Sequence, residues 1–180
     1  MTECIALIRG INVGRGNRLA MADLRGMMLD LGHANVRTLL NSGNALFQSK
    51  RPNVAKIAAS IQAAINAACG FSAAVTVITA QELDRIVDEN PLLSVVDDHA
   101  RYLVAFVTYP KHLEVLRPML KESWTPDALA ITARVAYLWC STGILDSKLL
   151  QAFSRKSGAT VTMRNWATVL KLQAASKEAT

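Results

Sequence analysis

Hydrophobic and polar positions in the first half of this chain alternate between helix-like and strand-like spacing. Apolar side chains three and four residues apart predict amphipathic helices, whereas short apolar runs bounded by glycine, asparagine or proline predict buried strands. The predicted elements are a strand at 5–8, a helix at 21–31, strands at 36–40 and 45–48 joined as a hairpin, a helix from Pro52 to Gly70, and a strand at 75–78. Their order, βαββαβ, is typical of a ferredoxin-like plait.

The second half of the chain predicts the same order after a connecting helix. The elements are a connecting helix at 80–89, a strand at 102–108, a helix at 111–121, hairpin strands at 129–132 and 135–140, a helix at 146–156, a strand at 160–162, a terminal helix at 166–173, and frayed residues at 174–180. Because no residue-level repeat accompanies this order, the repeat is one of topology only. We therefore predict an α+β protein of two tandem ferredoxin-like (βαββαβ) plaits, with a first subdomain at 1–79, a helix-and-loop connector at 80–100, and a second subdomain with the C-terminal helix at 101–180.

The composition predicts a globular protein of the cytoplasm. Hydrophobic residues make up 51% of the 180 residues and charged residues 19%, which excludes a disordered chain. No apolar run approaches the roughly 18 residues that span a bilayer, and no basic segment precedes the first apolar residues, so we expect no membrane segment and no export signal. The three cysteines are scattered and lack the spacing of metal ligands. We therefore expect no metal, no cofactor and a reducing compartment.

Positive charge is concentrated at both ends of the chain. The formal net charge is +6, and residues 1–51 and 134–177 carry seven Lys and Arg each, against three acids and one acid respectively. The middle of the chain, by contrast, is acidic. Such a distribution favours a basic face for nucleic acid, nucleotide or another anion, although an ordinary solvated surface gives the same pattern.

Two polar motifs in the first half are candidates for a binding site. LIRGINVGRGN follows the first strand, and Asn-Ser-Gly-Asn joins the hairpin strands. In a ferredoxin-like sheet the first and third strands are antiparallel neighbours, so the two motifs should meet at one edge. Arginine would supply charge, asparagines paired donors and acceptors, and glycines room for backbone N–H groups to approach a ligand. The candidate ligand-binding residues here are Arg9, Gly10, Asn12, Gly14, Asn41, Ser42, Gly43 and Asn44. The alternative is that these residues take left-handed conformations and cap their own loops.

Known phosphate and catalytic motifs are missing from the sequence. The glycine-rich loop lacks the Gly-Lys-Ser/Thr of a Walker A loop, and its G-x-x-x-G-x-G spacing differs from the dinucleotide fingerprint. No histidine has a nucleophile or carboxylate at motif spacing, so no catalytic residue is identified. ATP hydrolysis and NAD binding are therefore disfavoured.

Aromatic and basic residues mark the second half. Tyr102 and Phe106 should share one strand face, and Tyr137 and Trp139 the face of a neighbouring strand; this set is expected in the core, with base stacking as the alternative. In the later segment TMRNWATVLKL, we expect Arg164 and Asn165 at the start of the last helix, Thr162 or Asn165 as its cap, and a partly buried Trp166.

Three motifs in this order resemble the DUF1697 family, which comprises bacterial proteins of undetermined function. They are LIRGINVGRGN followed by MADLR, VRTLLNSGNALF, and YLWCSTGI-x-x-SKL leading to TMRNWATVLKL, and the resemblance covers nearly the whole chain. It implies two ferredoxin-like subdomains and no accepted reaction. It also implies that the recurring polar positions of the family are Arg9, Gly10, Asn12, Gly14, Asn41, Ser42, Gly43, Asn44, Ser147, Lys148, Arg164, Asn165 and Trp166. Cys140-Ser141-Thr142 departs from the apolar-Pro-acidic stretch that relatives often carry, which implies a lost carboxylate.

We favour a binding protein without catalysis that holds a phosphate-bearing ligand, either nucleic acid or nucleotide. The expected ligand-binding residues are those of the Arg9, Asn12 and Asn41–Asn44 edge together with Lys148, Arg164, Asn165 and Trp166 of the basic C-terminal segment. An enzyme acting on a small anionic metabolite is the alternative, with Arg9 or Lys148 orienting the metabolite and the asparagine loop stabilising developing charge. In a third interpretation the polar motifs are structural and fasten one plait to the other. The sequence does not determine the oligomeric state.

Overall fold

The computed structural model describes residues 1–50 and 52–178. In chain order its elements are β1 (Thr2–Ile8), α1 (Met21–Asp30), β2 (Ala34–Leu39), β3 (Asn44–Ser49), α2 (Val54–Cys69), β4 (Val75–Thr79), α3 (Ala80–Asp88), β5 (Tyr102–Val107), α4 (Lys111–Glu114), β6 (Ala128–Ile131), β7 (Val135–Trp139), α5 (Lys148–Ser157), β8 (Val161–Asn165) and α6 (Trp166–Lys177). Short 3₁₀ helices occupy Leu93–Val95 and Arg117–Lys121.

The strands form two four-stranded antiparallel sheets, so the chain is a mixed α/β protein. The strand order is β2-β3-β1-β4 in the first sheet and β6-β7-β5-β8 in the second. The predicted pairing of the first and third strands is confirmed, with Leu7 opposite Asn44. The chain divides into two compact units, Met1–Leu83 with the residues from Leu172 onward, and Asp84–Lys171. The subdomain boundaries expected from the sequence stay predictions.

In the first unit, α1 and α2 cover one face of the sheet. Apolar side chains of β1, β3 and β4 pack there against Leu24 and Met28 of α1 and against Ile61 and Ile65 of α2. The side chain of Asn53 accepts a hydrogen bond from the Lys56 N–H at the start of α2. The helix ends, as the sequence predicts, at a left-handed glycine. The spacing of apolar residues and the residues at the two helix ends therefore both agree with the observed helix α2.

In the second unit, helical segments cover one face of the sheet in the same way. Leu113, Leu149 and Phe153 pack against Leu103 and Leu138 of the strands. The opposite face is also buried, and Tyr102 and Tyr137 lie on it with stacked rings whose centroids are 6.3 Å apart.

Three boundaries in the second half of the chain differ from the sequence predictions. The helix expected at 111–121 is interrupted after Glu114, because Pro118 has no N–H to donate to the Glu114 carbonyl, and the chain continues as a 3₁₀ helix from Arg117. The last strand extends to Asn165 instead of 162. Helix α6 continues to Lys177 rather than fraying from 174, and residues 179–180 lie outside the described part of the chain.

His33 is a partly buried titratable group that lies against Phe47 of the core of the first unit. Its ring centroid lies 4.6 Å from that of Phe47, and its buried Nε2 has no hydrogen-bond partner among the described residues. Burial lowers the pKa of His33 from its ordinary value of 6.5, because the charged form loses hydration. The folded protein therefore favours neutral His33.

We expect the free energy of unfolding to decrease as the pH falls below about 6.5, because the unfolded chain then binds a proton that folded His33 does not. Above about pH 6.5 the contribution of His33 to the free energy of unfolding is fully present. Chemical denaturation between about pH 5 and 8 measures the effect. His33→Gln should flatten the acid side of the profile. Equal profiles for His33→Gln and the unmodified protein would contradict this assignment.

Candidate functional site

The loop after β1 is organised around the side chain of Asn12. Its Nδ2 donates to the Leu19 carbonyl at 2.8 Å, and its Oδ1 accepts from the Leu19 N–H at 3.0 Å. Its backbone N–H donates to the Asn17 carbonyl at 3.0 Å, which closes the loop a second time. Asn12 has a φ of +56°, a left-handed conformation that asparagine tolerates better than most residues. Asn12 therefore closes the glycine-rich loop through both its side chain and its backbone.

The two polar motifs of the first unit meet, as the sequence predicts. The Ile8 N–H donates to the Gly43 carbonyl at 2.8 Å, and Asn12 Nδ2 donates to the Asn41 carbonyl at 3.0 Å. Gly43 has a φ of +85°, and a Cβ there would lie 2.8 Å from the Ile8 carbonyl oxygen and 2.9 Å from Ile11 Cδ1. Only glycine fits this close approach without displacing the backbone.

Asn44 belongs to β3 and is fully buried, although the sequence places it in the turn. Its Nδ2 donates to the Leu39 carbonyl at 2.9 Å and to Ser42 Oγ at 3.1 Å. These bonds hold the turn between β2 and β3. Ligand binding by Ser42 or Asn44 stays a prediction.

A surface depression lies where the glycine-rich loop joins α1. It has a volume of about 440 Å³ and is lined by Asn12, Arg18, Leu19, Ala20, Met21 and Asn41. Arg18 is exposed and donates through Nη2 to the Gly14 carbonyl at 2.7 Å. Ala20 precedes the first residue of α1 in extended conformation and has no side-chain acceptor with which to cap the helix. The depression therefore combines a guanidinium with the positive end of a helix.

The other predicted residues of this loop are close in sequence to the residues that line the depression, but they do not line it themselves. Arg9 is exposed at the end of β1, and its backbone N–H donates to the Ala74 carbonyl at 2.8 Å. Gly10 and Gly14 are exposed and have φ values of +71° and +61°. The Gly10 carbonyl accepts from Asn17 Nδ2 at 3.2 Å. These contacts agree with the expected left-handed loop conformation.

The remaining predicted site residues belong to the second unit. Lys148 is exposed and begins α5, which Ser147 caps by accepting a hydrogen bond from the Leu150 N–H at 3.0 Å. Asn165 ends β8, and its Oδ1 accepts from the Thr168 N–H at 2.9 Å, so the predicted cap of the last helix is confirmed.

Arg164 and Trp166 are less accessible than the sequence suggests. Arg164 lies within β8 rather than in the helix; desolvation lowers the pKa of its guanidinium to about 10, which leaves it charged at neutral pH. Its Nη1 donates to the Met163 carbonyl at 2.9 Å. Trp166 is 2% exposed, and its ring centroid lies 5.5 Å from that of Tyr102. The expectation of partial burial for Trp166 is therefore wrong.

Asp127 is a polar centre that sequence reasoning missed. Its Oδ1 accepts from the Ser141 N–H at 2.8 Å and from Ser141 Oγ at 3.0 Å, and its Oδ2 accepts from Ser147 Oγ at 2.7 Å. The turn after β7 therefore does have a carboxylate, supplied from the segment before β6. No motif spacing links Asp127 to these serines, which lie 14 and 20 residues later in the chain. Burial raises the pKa of the neighbouring Cys140 thiol, which makes this thiol a weak nucleophile.

The aromatic set of the second sheet belongs to the core. Tyr102, Phe106, Tyr137 and Trp139 are at most 5% exposed. Tyr102 donates its hydroxyl hydrogen to Asn90 Oδ1 at 2.5 Å, and Tyr137 donates to the Ile86 carbonyl at 2.7 Å. Burial raises the pKa of both phenols above its usual range. The core interpretation is confirmed, and the base-stacking alternative is wrong because no open ring face remains.

Two kinds of feature are absent from the described residues. No group of three or more His, Cys, Asp or Glu side chains is placed to hold a metal ion. None of the helices described is long and apolar enough to cross a membrane.

Comparison with known proteins gives a family and a fold. The model of a family described as a protein of unknown function (DUF1697) matches residues 1–137. The chain is similar to the solved structure of conserved bacterial protein SP0830 from Streptococcus pneumoniae, with a TM-score of 0.78 and 21% sequence identity over 97% of this chain and 98% of that one. At this identity the likeness concerns the fold alone. No curated protein matches the chain.

We expect Gly43→Ala to destabilise the protein by about 2–4 kcal/mol, because it adds left-handed strain to a contact with the Ile8 carbonyl. Gly14→Ala is the matched control: its φ is also positive, but a Cβ there would meet nothing within 4 Å, so the loss should be about 1–2 kcal/mol. Urea denaturation of the two variants measures the difference. Equal losses would show that the close approach at Gly43 carries no cost of its own.

Proposed function

The chain belongs to the DUF1697 family of proteins of unknown function, and we propose from its own geometry that it binds a phosphate-bearing ligand at the depression beside α1. The observation that carries this proposal is the uncapped first turn of α1, which opens onto a depression that Arg18 also lines. The ligand is either a nucleotide or a nucleic acid, and the protein performs no reaction on it.

The start of α1 supplies hydrogen-bond donors for an anion. The first N–H groups of a helix have no partner within the helix, and they lie at the positive end of its dipole. At α2 and α5 the side chains of Asn53 and Ser147 accept one of these bonds. At α1 the corresponding residue is Ala20, which cannot do so. A phosphate oxygen in the depression would take the place of the missing cap.

The charge and size of the depression agree with a phosphate group. Arg18 offers a permanently charged, planar donor set that suits phosphate oxygens. The volume of about 440 Å³ lies within the range of about 300–1,000 Å³ that is usual for small-molecule sites. One opposing charge lies near, because exposed Asp23 occupies the first turn of α1.

The asparagines have a different role in this proposal from the one that the sequence suggested. The Asn12 and Asn44 side chains form hydrogen bonds to the backbone around them. We therefore assign these two residues to shaping the loops, and we assign ligand binding to Arg18 and to the N–H groups of α1. Binding by Arg9 remains part of the proposal, since Arg9 is exposed in the same loop.

We extend the proposal to fold type and location. The strand orders β2-β3-β1-β4 and β6-β7-β5-β8 support a ferredoxin-like plait for each unit. The free cysteines Cys4, Cys69 and Cys140 support a cytoplasmic protein.

Arg18→Ala should weaken binding about tenfold, the loss expected for one charge-assisted hydrogen bond. Fluorescence anisotropy with labelled single-stranded RNA, single-stranded DNA and ATP, at low and physiological salt, measures it. Arg15→Ala is the control, because it removes the same charge from the same exposed loop outside the depression. Steep salt dependence with RNA or DNA identifies a nucleic-acid ligand. Equal weakening by both variants would assign binding to general charge, and no binding of any probe would overturn the proposal.

Ala20→Asn should stabilise the protein by about 0.5–2 kcal/mol and weaken ligand binding at the same time. An asparagine at this extended, exposed position can accept the hydrogen bond that we assign to phosphate. Thermal denaturation and anisotropy on the same samples test the two effects together. Because asparagine is neutral, charge repulsion does not contribute. Stabilisation with unchanged affinity would place the ligand elsewhere.

A further inference from the structure

Two exposed aliphatic side chains flank the junction between the glycine-rich loop and the turn before β3. The junction is the hydrogen bond from Asn12 Nδ2 to the Asn41 carbonyl, at 3.0 Å. Val13 follows Asn12 and is 71% exposed, and Leu40 precedes Asn41 and is 46% exposed. Each therefore lies one residue, or about 3.8 Å along the backbone, from a residue that lines the depression beside α1. We call Val13 and Leu40 the aliphatic rim.

Leu40 has a backbone conformation that leucine rarely adopts. Its φ is +60°, in the left-handed region, where the Cβ crowds the following carbonyl oxygen. Every other residue of the described chain with a positive φ is a glycine or an asparagine, and both tolerate this region better. The turn alone thus favours a different residue at position 40. Strained positions of this kind cluster at ligand sites, which directs attention to what the exposed leucine side chain contacts.

Val13 is the most exposed large hydrophobic residue of the first unit. It stands at the tip of the loop, where a Cβ at Gly14 or at Gly16 would meet nothing within 4 Å. The preceding residue is held in place, because both the side chain and the backbone N–H of Asn12 form hydrogen bonds within the loop. Val13 is therefore attached to an ordered base although its side chain lies in solvent.

The depression offers little with which to read the edge of a base. Asn12 Nδ2 donates both of its hydrogens, to the Leu19 and Asn41 carbonyls, and Asn12 Oδ1 accepts from the Leu19 N–H. None of the described residues that line the depression is aromatic. A base beside a phosphate in this depression would therefore be held through its apolar faces. Binding sites for small molecules commonly combine such apolar contacts with a few charged or polar groups.

We infer that the aliphatic rim contacts the base of the ligand, while Arg18 and the start of α1 contact its phosphate. The ligand is then a nucleoside phosphate, free or within a nucleic-acid strand, and not a bare phosphate. This inference rests on the phosphate proposal. The exposed charges nearest in sequence, Arg15 and Asp23, do not affect it, because apolar contact does not depend on charge.

Calorimetric titration with ATP and with inorganic tripolyphosphate tests the inference. ATP should bind about tenfold more tightly, the factor given by burial of about 50–60 Å² of apolar surface. Tripolyphosphate carries at least as much negative charge as ATP, so charge cannot produce this difference. Leu40→Asn and Val13→Ser should each weaken ATP binding severalfold and leave tripolyphosphate binding unchanged. Leu40→Asn should also melt no lower than the unmodified protein, because asparagine relieves the backbone strain.

Exposed residues away from the depression provide matched controls. Leu29→Asn, eight residues beyond the start of α1, and Val115→Ser, in the second unit, should leave the affinities for both probes unchanged. Single-stranded RNA in the same titrations distinguishes a strand from a free nucleotide by its affinity relative to ATP. Equal affinities for ATP and tripolyphosphate, or equal weakening of both by the rim variants, would overturn the inference and leave the phosphate proposal standing. No binding of any probe would overturn both.

Discussion

The first unit depends on one close backbone contact, between Gly43 and the end of β1. The Ile8 N–H reaches the Gly43 carbonyl, and the missing side chain of Gly43 leaves room for the Ile8 carbonyl. This contact places the turn before β3 against the loop after β1. Asn12 can then bridge the two segments by donating to Asn41. Gly43 does not itself line the depression beside α1. Its steric constraint nevertheless helps to place Asn12 and Asn41, which do line it.

Much of this arrangement was predictable because it follows from periodicity and strand adjacency. Apolar runs bounded by glycine and asparagine identified the strands, and antiparallel pairing of the first and third strands brought the two loops together. Burial was harder to predict, because Asn44 and Trp166 stand in polar sequence segments but are enclosed by residues distant in the chain. Asp127 could not be found from spacing, because its partners Ser141 and Ser147 belong to a later segment. Interruption of the 111–121 helix was predictable in principle from Pro118.

The polar motifs contain two physically different groups of residues. Asn12, Asn44 and Asn165 use their side chains to satisfy nearby backbone groups, so their presence is explained by the loops and helix ends that they hold. Arg18 and Lys148 place their charges at the surface. A sequence motif does not separate these groups, because asparagine and arginine are equally suited to bind a ligand or to cap a turn. Exposure separates them better than hydrogen-bond partners do, because Arg18 is exposed although it also donates to the Gly14 carbonyl of its own loop.

The contrast between helix starts is the strongest argument about function in this chain. Asn53, Ser147 and Asn165 each accept a hydrogen bond from an N–H group in the first turn of α2, α5 and α6. A cap of this kind contributes about 1 kcal/mol to stability, and alanine at the same position does not provide it. Helix α1 lacks this stabilisation, because its N-cap residue is Ala20, which lines the depression together with Arg18. An anion that accepted these N–H bonds would recover the lost stabilisation on binding, which is the physical basis of the ligand site that we propose at this helix.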